Sequence, residues 1–133
     1  MIKKVDHIAI VVSNLDEALQ VYDNFFGLKP SKVETISEQG VRAAIFPIGN
    51  GSEIEIMEPI DPQSGVAKFL ETKGEGIHHI CLEVDDVDKE LTALGDKGAK
   101  LIDKQGRQGL AGKIGFIHPK ATKGVLIELA QKV

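Results

Sequence analysis

Two stretches of the chain, 72 residues apart, show the same succession of hydrophobic and polar positions. Each begins with alternating apolar and polar residues, which is typical of a strand with one buried face. Each continues with apolar residues at helical spacing and then with further alternating segments. The pattern predicts an α+β fold of two βαβββ modules, covering about residues 1–60 and 75–133, within a single domain of residues 1–133.

The internal repeat is loose in identity but regular in spacing. The segment IHHICLEVDDVDKELTAL matches VDHIAIVVSNLDEALQVY, so that His79 corresponds to His7 at an offset of 72. Later, GVLIELAQ resembles SEIEIMEP, and Glu128 corresponds to Glu55 at an offset of 73. Self-similarity at a steady offset indicates that one supersecondary unit occurs twice.

Local signals place the individual elements. Asn14 is a suitable N-cap for a first helix, and Gly27 is a suitable stop for it. A second, short helix is predicted at about 64–72, between the modules. The other predicted elements are strands at 4–12, 31–37, 41–48, 52–58, 77–84, 100–103, 112–118 and 124–130, and a helix at 87–97.

Strand alternation separates two adjacent histidines in the second module. The alternate apolar residues of that strand are in phase with His78, so His79 points to the opposite face. The same argument turns His7, Glu55 and Glu128 away from the faces that the helices cover. If the modules join side by side, these four side chains meet in a concave mixed sheet, and His78 has a packing or hydrogen-bonding role.

Two imidazoles and two carboxylates are a suitable ligand set for a divalent cation with room for further ligands. A lone histidine or glutamate on a strand is more often structural, but here both occur in matching phase in both modules. A closed tetrahedral zinc site is less natural, because the set contains no thiolate. We therefore predict a metal site formed by His7, Glu55, His79 and Glu128.

Composition limits the binding partners and the cellular compartment that we expect for this protein. The net charge of −4 argues against a nucleic-acid-binding surface. A lone cysteine, Cys81, excludes an intrachain disulfide and is typical of a reducing compartment. The N-terminal sequence has only a short apolar run followed closely by acids, which suits neither a signal peptide nor a membrane span. We expect a cytoplasmic protein without a nucleic-acid or membrane partner.

Several segments resemble one known family. They are VDHIAIVV, LDEAL, EQGVRAA, EIMEP, GEGIHHICLEVDD, and FIHPK followed by GVLIEL. The chain is similar to the vicinal oxygen chelate superfamily, which includes glyoxalase I, extradiol dioxygenases and antibiotic-resistance proteins. Within it, the chain most resembles the methylmalonyl-CoA epimerases over nearly its whole length. The resemblance implies paired βαβββ modules around a divalent ion, with ligands at His7, Glu55, His79 and Glu128. Co²⁺ is the first expectation, and Mn²⁺, Mg²⁺, Ni²⁺ and Zn²⁺ are alternatives.

The resemblance also implies an activity. It is the metal-dependent epimerisation of 2-methylmalonyl-CoA by abstraction of the C2 proton, through a metal-stabilised enediolate. Glu128 is the first candidate for the base, and Glu55 is the candidate on the opposite side. We expect a homodimer that binds an acyl-CoA. The candidates for contacts with the CoA phosphates are Lys113, Lys120 and Lys123, with Arg42 and Arg107 as alternatives.

One position departs from the family pattern. Some members place a second catalytic glutamate three residues after the glycine of the QGV segment, where this chain has Ala43. That role cannot be carried over, because a methyl group cannot move a proton. Two alternative functions remain open: an isomerase like lactoylglutathione lyase (glyoxalase I), and a non-catalytic small-molecule-binding protein of the same fold. An extradiol dioxygenase is disfavoured by the fourth ligand, since its iron site uses two histidines and one carboxylate.

Overall fold

The computed structural model describes residues 1–109 and 111–132 and confirms the α+β class and the two βαβββ modules. A further helix, α2, follows the first module and precedes the second in the sequence. The first module contains β1 (Ile2–Val11), α1 (Leu15–Phe26), β2 (Lys32–Ile36), β3 (Val41–Ile48) and β4 (Ser52–Pro59), and α2 is Gly65–Lys73. The second module contains β5 (Gly76–Val84), α3 (Val87–Asp96), β6 (Arg107–Gly109), β7 (Gly112–Ile117) and β8 (Ile127–Gln131).

Equivalent side chains cap the first helix of each module. Asn14 Oδ1 accepts a hydrogen bond from the backbone N–H of Glu17 at 3.0 Å, and Asp86 Oδ1 accepts one from Lys89 at 3.0 Å. Each bond satisfies one of the backbone donors that a helix start leaves unpaired. Gly27 ends α1 in the left-handed conformation, with φ of 66°. Among the described residues, no helix is long and apolar enough to cross a membrane.

Two strands of the second module differ from their predicted positions. The strand expected at 100–103 is replaced by an isolated bridge from Leu101 to Ile117, because the N–H groups of Ile102 and Asp103 both bond to the carbonyl of Phe116 and no regular ladder forms. The second strand of this module is instead the polar segment β6, which pairs with β7. The last strand begins at Ile127 rather than at residue 124, and Val125 before it is 39% exposed. Lys123 adopts a left-handed conformation, so the chain is still turning there.

The chain divides into two compact units that do not coincide with the modules. One unit is Ile8–His78, and the other combines Met1–His7 with His79–Val133. The strand β1 therefore begins in one unit and ends in the other.

The unit Ile8–His78 contains strands in the order β2-β3-β4-β1, with β3 antiparallel to both β2 and β4. Helix α1 covers one face, where Leu15 packs against Phe46 and Ile56. Helix α2 packs through Phe69 and its neighbours against the other face. The buried residues of that second cluster are Ala9, Val11, Ile36, Val41, Ala43 and Met57.

The other unit contains strands in the order β1-β5-β8-β7-β6. Its sheet is mixed, because β5 and β8 are parallel whereas β7 is antiparallel to β8. Helix α3 covers one face through Val87 and Leu91, which pack against Val84, Ile117 and Leu129. A separate cluster on the opposite face contains Cys81, Ile114 and Ala130. The candidate site lies on the face opposite α3.

Candidate metal and proton-transfer site

Three of the four predicted ligands meet on three different strands of one unit. His7 lies on β1, His79 on β5 and Glu128 on β8. The neighbours of Glu128 along the strand, Ile127 and Leu129, pack on the α3 side, and alternation turns the carboxylate to the opposite face. The parallel pairing of β5 with β8 then places Glu128 beside the His79 segment.

The three donor atoms form a compact triangle. His7 Nε2 lies 3.2 Å from His79 Nε2 and 3.4 Å from Glu128 Oε1, and His79 Nε2 lies 3.0 Å from Glu128 Oε1. Two ligand atoms that each lie about 2.1 Å from one cation are about 3.0 Å apart when they bind at a right angle, and about 3.4 Å apart when they bind at the tetrahedral angle. The side chains are only 12%, 10% and 8% exposed. The triangle thus matches one face of a cation's ligand shell, and the residues present fit a divalent metal ion.

Hydrogen bonding sets the charges of this cluster. Burial alone raises the pKa of Glu128, but hydrogen bonds from His7 and His79 lower it to about 2. Burial alone lowers the pKa of His7, but hydrogen bonds to Asp6, Cys81 and Glu128 raise it to about 12. Glu128 is therefore an ionised, acceptor-only carboxylate in a buried site, which favours a positive charge beside it.

Two residues that the sequence argument missed also belong to the cluster. Asp6 Oδ2 lies 2.7 Å from His7 Nδ1, and Asp6 Oδ1 lies 2.9 Å from Lys132 Nζ. Burial raises the pKa of Asp6, but its contacts with His7 and Lys132 lower it to about 2. The signal that could have indicated Asp6 is an acidic residue directly before a candidate ligand, inside an otherwise apolar strand.

Glu55 occupies the predicted strand position in the unit Ile8–His78. Its neighbours Ile54 and Ile56 pack with the α1 cluster, whereas Met57 packs with the α2 cluster, so Glu55 points to the same side as Met57. The carboxylate residue is buried. Its predicted orientation away from α1 is confirmed, and its ligation of a metal stays a prediction.

His78 contacts a different part of the molecule from His79. Its ring packs edge-on against Phe69 of α2, with 4.9 Å between ring centroids. The packing role expected for His78 is therefore confirmed. The ring of His79 instead packs edge-on against Phe116 of β7, with 5.8 Å between ring centroids.

The three candidate lysines do not form one cluster. Lys113 is the second residue of β7 and forms an ion pair with Asp88 at the start of α3. Lys120 and Lys123 follow the other end of β7, which ends at Ile117, four residues and about 14 Å of extended strand from Lys113. The alternatives are also paired: Arg42 with Asp16 and Glu58, and Arg107 with Asp103. Phosphate contacts by these residues stay a prediction.

Ala43 is fully buried, and it packs in the cluster that α2 covers. It lies opposite Met57 in the pairing of β3 with β4. A buried methyl group cannot take a proton, so the structure places no base at this position.

Comparison with known proteins identifies the family. Residues 6–117 match the family model described as Glyoxalase/Bleomycin resistance protein/Dioxygenase superfamily, and the chain belongs to this superfamily. The resemblance of its sequence motifs to that superfamily is confirmed.

Particular relatives are similar over most of the chain. The uncharacterized protein YqjC of Bacillus subtilis is 42% identical, covering 96% of this chain and 91% of the relative. The mitochondrial methylmalonyl-CoA epimerase of Dictyostelium discoideum is 38% identical, covering 98% and 80%. A Glu-to-Gln variant of Streptomyces coelicolor methylmalonyl-CoA epimerase, solved with 2-nitronate-propionyl-CoA, has a TM-score of 0.87 at 34% identity, covering 100% and 99%.

Proposed function

We propose that this chain is a metal-dependent isomerase that interconverts the R and S forms of 2-methylmalonyl-CoA. The observation that carries the proposal is the buried triangle of His7, His79 and Glu128, on a fold shared with methylmalonyl-CoA epimerases. A solved relative holds a CoA-linked nitronate, which supports an acyl-CoA as the substrate class. The homodimer and the cytoplasmic location stay predictions.

The proposed metal ligands are His7, Glu55, His79 and Glu128. When bound there, a divalent cation acts as a Lewis acid that stabilises negative charge on the thioester oxygen of the substrate. The imidazole and carboxylate donors suit Co²⁺, our first expectation, and also Mn²⁺, Mg²⁺, Ni²⁺ or Zn²⁺.

Epimerisation requires a base that takes the C2 proton from one face and an acid that returns a proton to the other. We assign the first role to Glu128, which is ionised at neutral pH because His7 and His79 hold its pKa low. The same hydrogen bonds make it a weak base. Proton transfer to Glu128 therefore depends on a substrate whose C2 has been made more acidic by charge stabilisation at the carbonyl oxygen.

The second proton-transfer group is proposed to be Glu55. Ala43 cannot fill this role, and Glu55 is the internal-repeat counterpart of Glu128. Two carboxylates from equivalent strands suit a reaction that has to approach one carbon from both sides. Lys120 and Lys123, with Lys113 on a separate part of the surface, remain the proposed contacts for the CoA phosphates.

The deciding experiment is deuterium exchange at C2 of methylmalonyl-CoA in D₂O, with and without EDTA. We expect exchange that EDTA abolishes and that added Co²⁺ restores. Absence of metal-dependent exchange at micromolar enzyme would defeat the proposal. Conversion of the hemithioacetal of methylglyoxal and glutathione, without C2 exchange, would assign the glyoxalase I-like alternative instead.

The variant Glu128→Gln separates the two roles given to this residue. Retained metal content with lost exchange supports a base, whereas lost metal content makes Glu128 chiefly a ligand. Glu83→Gln is the matched control, because Glu83 lies on β5 and forms an ion pair with Lys3 at 3.8 Å, away from the triangle.

A further inference from the structure

Asp6 is a buried carboxylate that the proposed reaction does not use. The residue is only 4% exposed, and both of its oxygens have charged or ionisable partners. Oδ2 faces His7 Nδ1 at 2.7 Å, and Oδ1 faces Lys132 Nζ at 2.9 Å. Burial of a carboxylate is costly unless such partners compensate for the lost water. The chain thus maintains a charged group directly behind one candidate ligand.

The contact with Asp6 determines which nitrogen of His7 is available to a cation. An ionised carboxylate can only accept hydrogen bonds, so His7 Nδ1 must carry the hydrogen and donate it to Asp6. The other nitrogen, Nε2, is the atom that faces His79 and Glu128. Once its Nε2 proton has been lost, an imidazole that keeps its hydrogen on Nδ1 presents a lone pair at Nε2, and a carboxylate behind the ring makes that lone pair a stronger donor.

We propose that Asp6 is a positioning residue that holds His7 in its metal-binding tautomer and ring orientation, and that Lys132 holds Asp6. This inference rests on the metal site of the proposed function. Lys132 directly follows β8, the strand that carries Glu128. Strand β8 therefore carries the candidate ligand Glu128. The residue directly after it, Lys132, holds the Asp6 carboxylate that supports a second candidate ligand, His7.

The internal repeat does not reproduce this arrangement. At the offset of 72 that relates His7 to His79, the residue corresponding to Asp6 is His78. His78 packs against Phe69 of α2, whereas Phe116 packs edge-on against His79. The repeat therefore supplies no counterpart of Asp6 beside His79, and we expect loss of Asp6 to act first on His7.

Metal affinity tests the proposal directly. The variants Asp6→Ala, Asp6→Asn and Lys132→Met are titrated with Co²⁺ by isothermal calorimetry, beside the unaltered protein. We expect Asp6→Ala to weaken binding by about 10–100-fold, the usual effect of losing an outer partner of a ligand. Asp6→Asn keeps an oxygen that can accept from Nδ1 and should lie between Asp6→Ala and the unaltered protein. Lys132→Met should weaken binding in the same direction by a smaller factor.

Asp88→Asn is the matched control. Asp88 also pairs with a lysine, Lys113, and accepts a backbone hydrogen bond from Gly106, but it lies at the start of α3. Its substitution should leave the Co²⁺ affinity unchanged. An equal loss in Asp88→Asn would overturn the specific role of Asp6.

A spectroscopic measurement distinguishes positioning from general stabilisation. With Zn²⁺ bound, the ¹⁵N shifts of His7 should show a protonated Nδ1, and this signature should weaken or become averaged in Asp6→Ala. Circular dichroism reports whether each variant is folded. If Asp6→Ala does not fold, the near-isosteric Asp6→Asn decides through its Co²⁺ affinity, and an unchanged affinity in it overturns the proposal.

The possible failures can be told apart. If the unaltered protein binds Co²⁺ and both Asp6 variants bind it equally well, the role of Asp6 is overturned and the metal site stands. If the unaltered protein itself binds no Co²⁺, the proposed metal site and this inference both fall.

Discussion

His78 and His79 are neighbours in the chain, yet their rings contact different partners. His79 lies within 3.2 Å of His7 and 3.0 Å of Glu128, whereas His78 packs on Phe69. The cause is elementary, because a strand turns successive side chains to opposite faces. The two histidines should therefore respond differently to the same substitution.

Losing an outer partner of a ligand typically weakens metal binding by about 10–100-fold. We expect His79→Ala to weaken it by more, because this variant removes a proposed ligand atom itself. His78→Ala should leave metal affinity unchanged and lower stability by about 0.5–1.5 kcal/mol through the lost aromatic contact. Calorimetric titration and denaturant unfolding check the pair. Loss of metal by His78→Ala, with metal retained by His79→Ala, would reverse the assignment.

At the residue scale, the sequence was sufficient to predict the features that depend on neighbouring residues along one strand or on the internal repeat. Alternation along one strand separated His79 from His78, and the repeat connected His79 to His7. The same alternation concealed Asp6, because adjacent residues on a strand are expected on opposite faces. The Asp6 carboxylate contacts the ring of the next residue, His7, and forms an ion pair with Lys132, which is 126 positions away. A local sequence pattern cannot predict an ion pair between residues so far apart in the chain.

Gly115 controls how closely helix α3 can approach strand β7. A Cβ atom at this position would lie 2.7 Å from Leu91 Cδ1 and 3.4 Å from Val87 Cγ1. Real Cβ atoms do not approach a neighbour to 2.7 Å, so Leu91 would have to move. Since Leu91 is fully buried between the helix and the sheet, there is little space for it to do so.

Gly115→Ala should therefore destabilise the fold by about 1–3 kcal/mol through overpacking. Gly49→Ala is the matched control, because a Cβ there meets nothing within 4 Å. The free energies of unfolding from urea titrations check both variants. Equal stability of the two would show that α3 shifts without cost.

At the element scale, helix ends and most strands were predictable, including the edge strand β2, but the edge strand β6 was not. Asn14 and Gly27 act through bonds to residues three or four positions away, so their types alone indicated the ends of α1. In contrast, β6 contains Arg107 and Gln108, is exposed, and exists only through hydrogen bonds to β7. The segment around Leu101 resembles a strand because it is apolar, but two of its N–H groups share the carbonyl of Phe116, and no pattern of residue types indicates that irregularity.

Metal binding should affect the stability of the whole molecule. A cation that binds only the folded chain stabilises it by RT ln(1 + [L]/Kd), about 2.7 kcal/mol at a concentration 100 times Kd. We expect the melting temperature to rise with Co²⁺ and to fall with EDTA, as measured by differential scanning fluorimetry. His79→Ala should not respond. A melting temperature that is independent of Co²⁺ in the unaltered protein would contradict the site.

Acid should weaken the attachment of the loop before β6 to α3. Hydrogen bonds from Lys113 and from the Gly106 backbone lower the pKa of Asp88 from its ordinary value of 3.8. A carboxyl whose pKa is lower in the folded state adds stability above the ordinary value, and this is lost as the pH falls through the folded value. Asp88→Asn should therefore flatten the fall in stability below about pH 4. Urea titrations at several pH values check this, and an unchanged slope would refute it.

The division of β1 between two compact units has a consequence for protein synthesis. The unit Ile8–His78 is continuous, so its hydrophobic core can form as soon as that stretch has left the ribosome. The residues Met1–His7 must instead wait for partners that are made much later, since Glu128 follows His7 by 121 residues. A nascent chain would thus complete one core long before the proposed metal site is assembled, and we expect any uptake of an ion there to be one of the last events in its maturation.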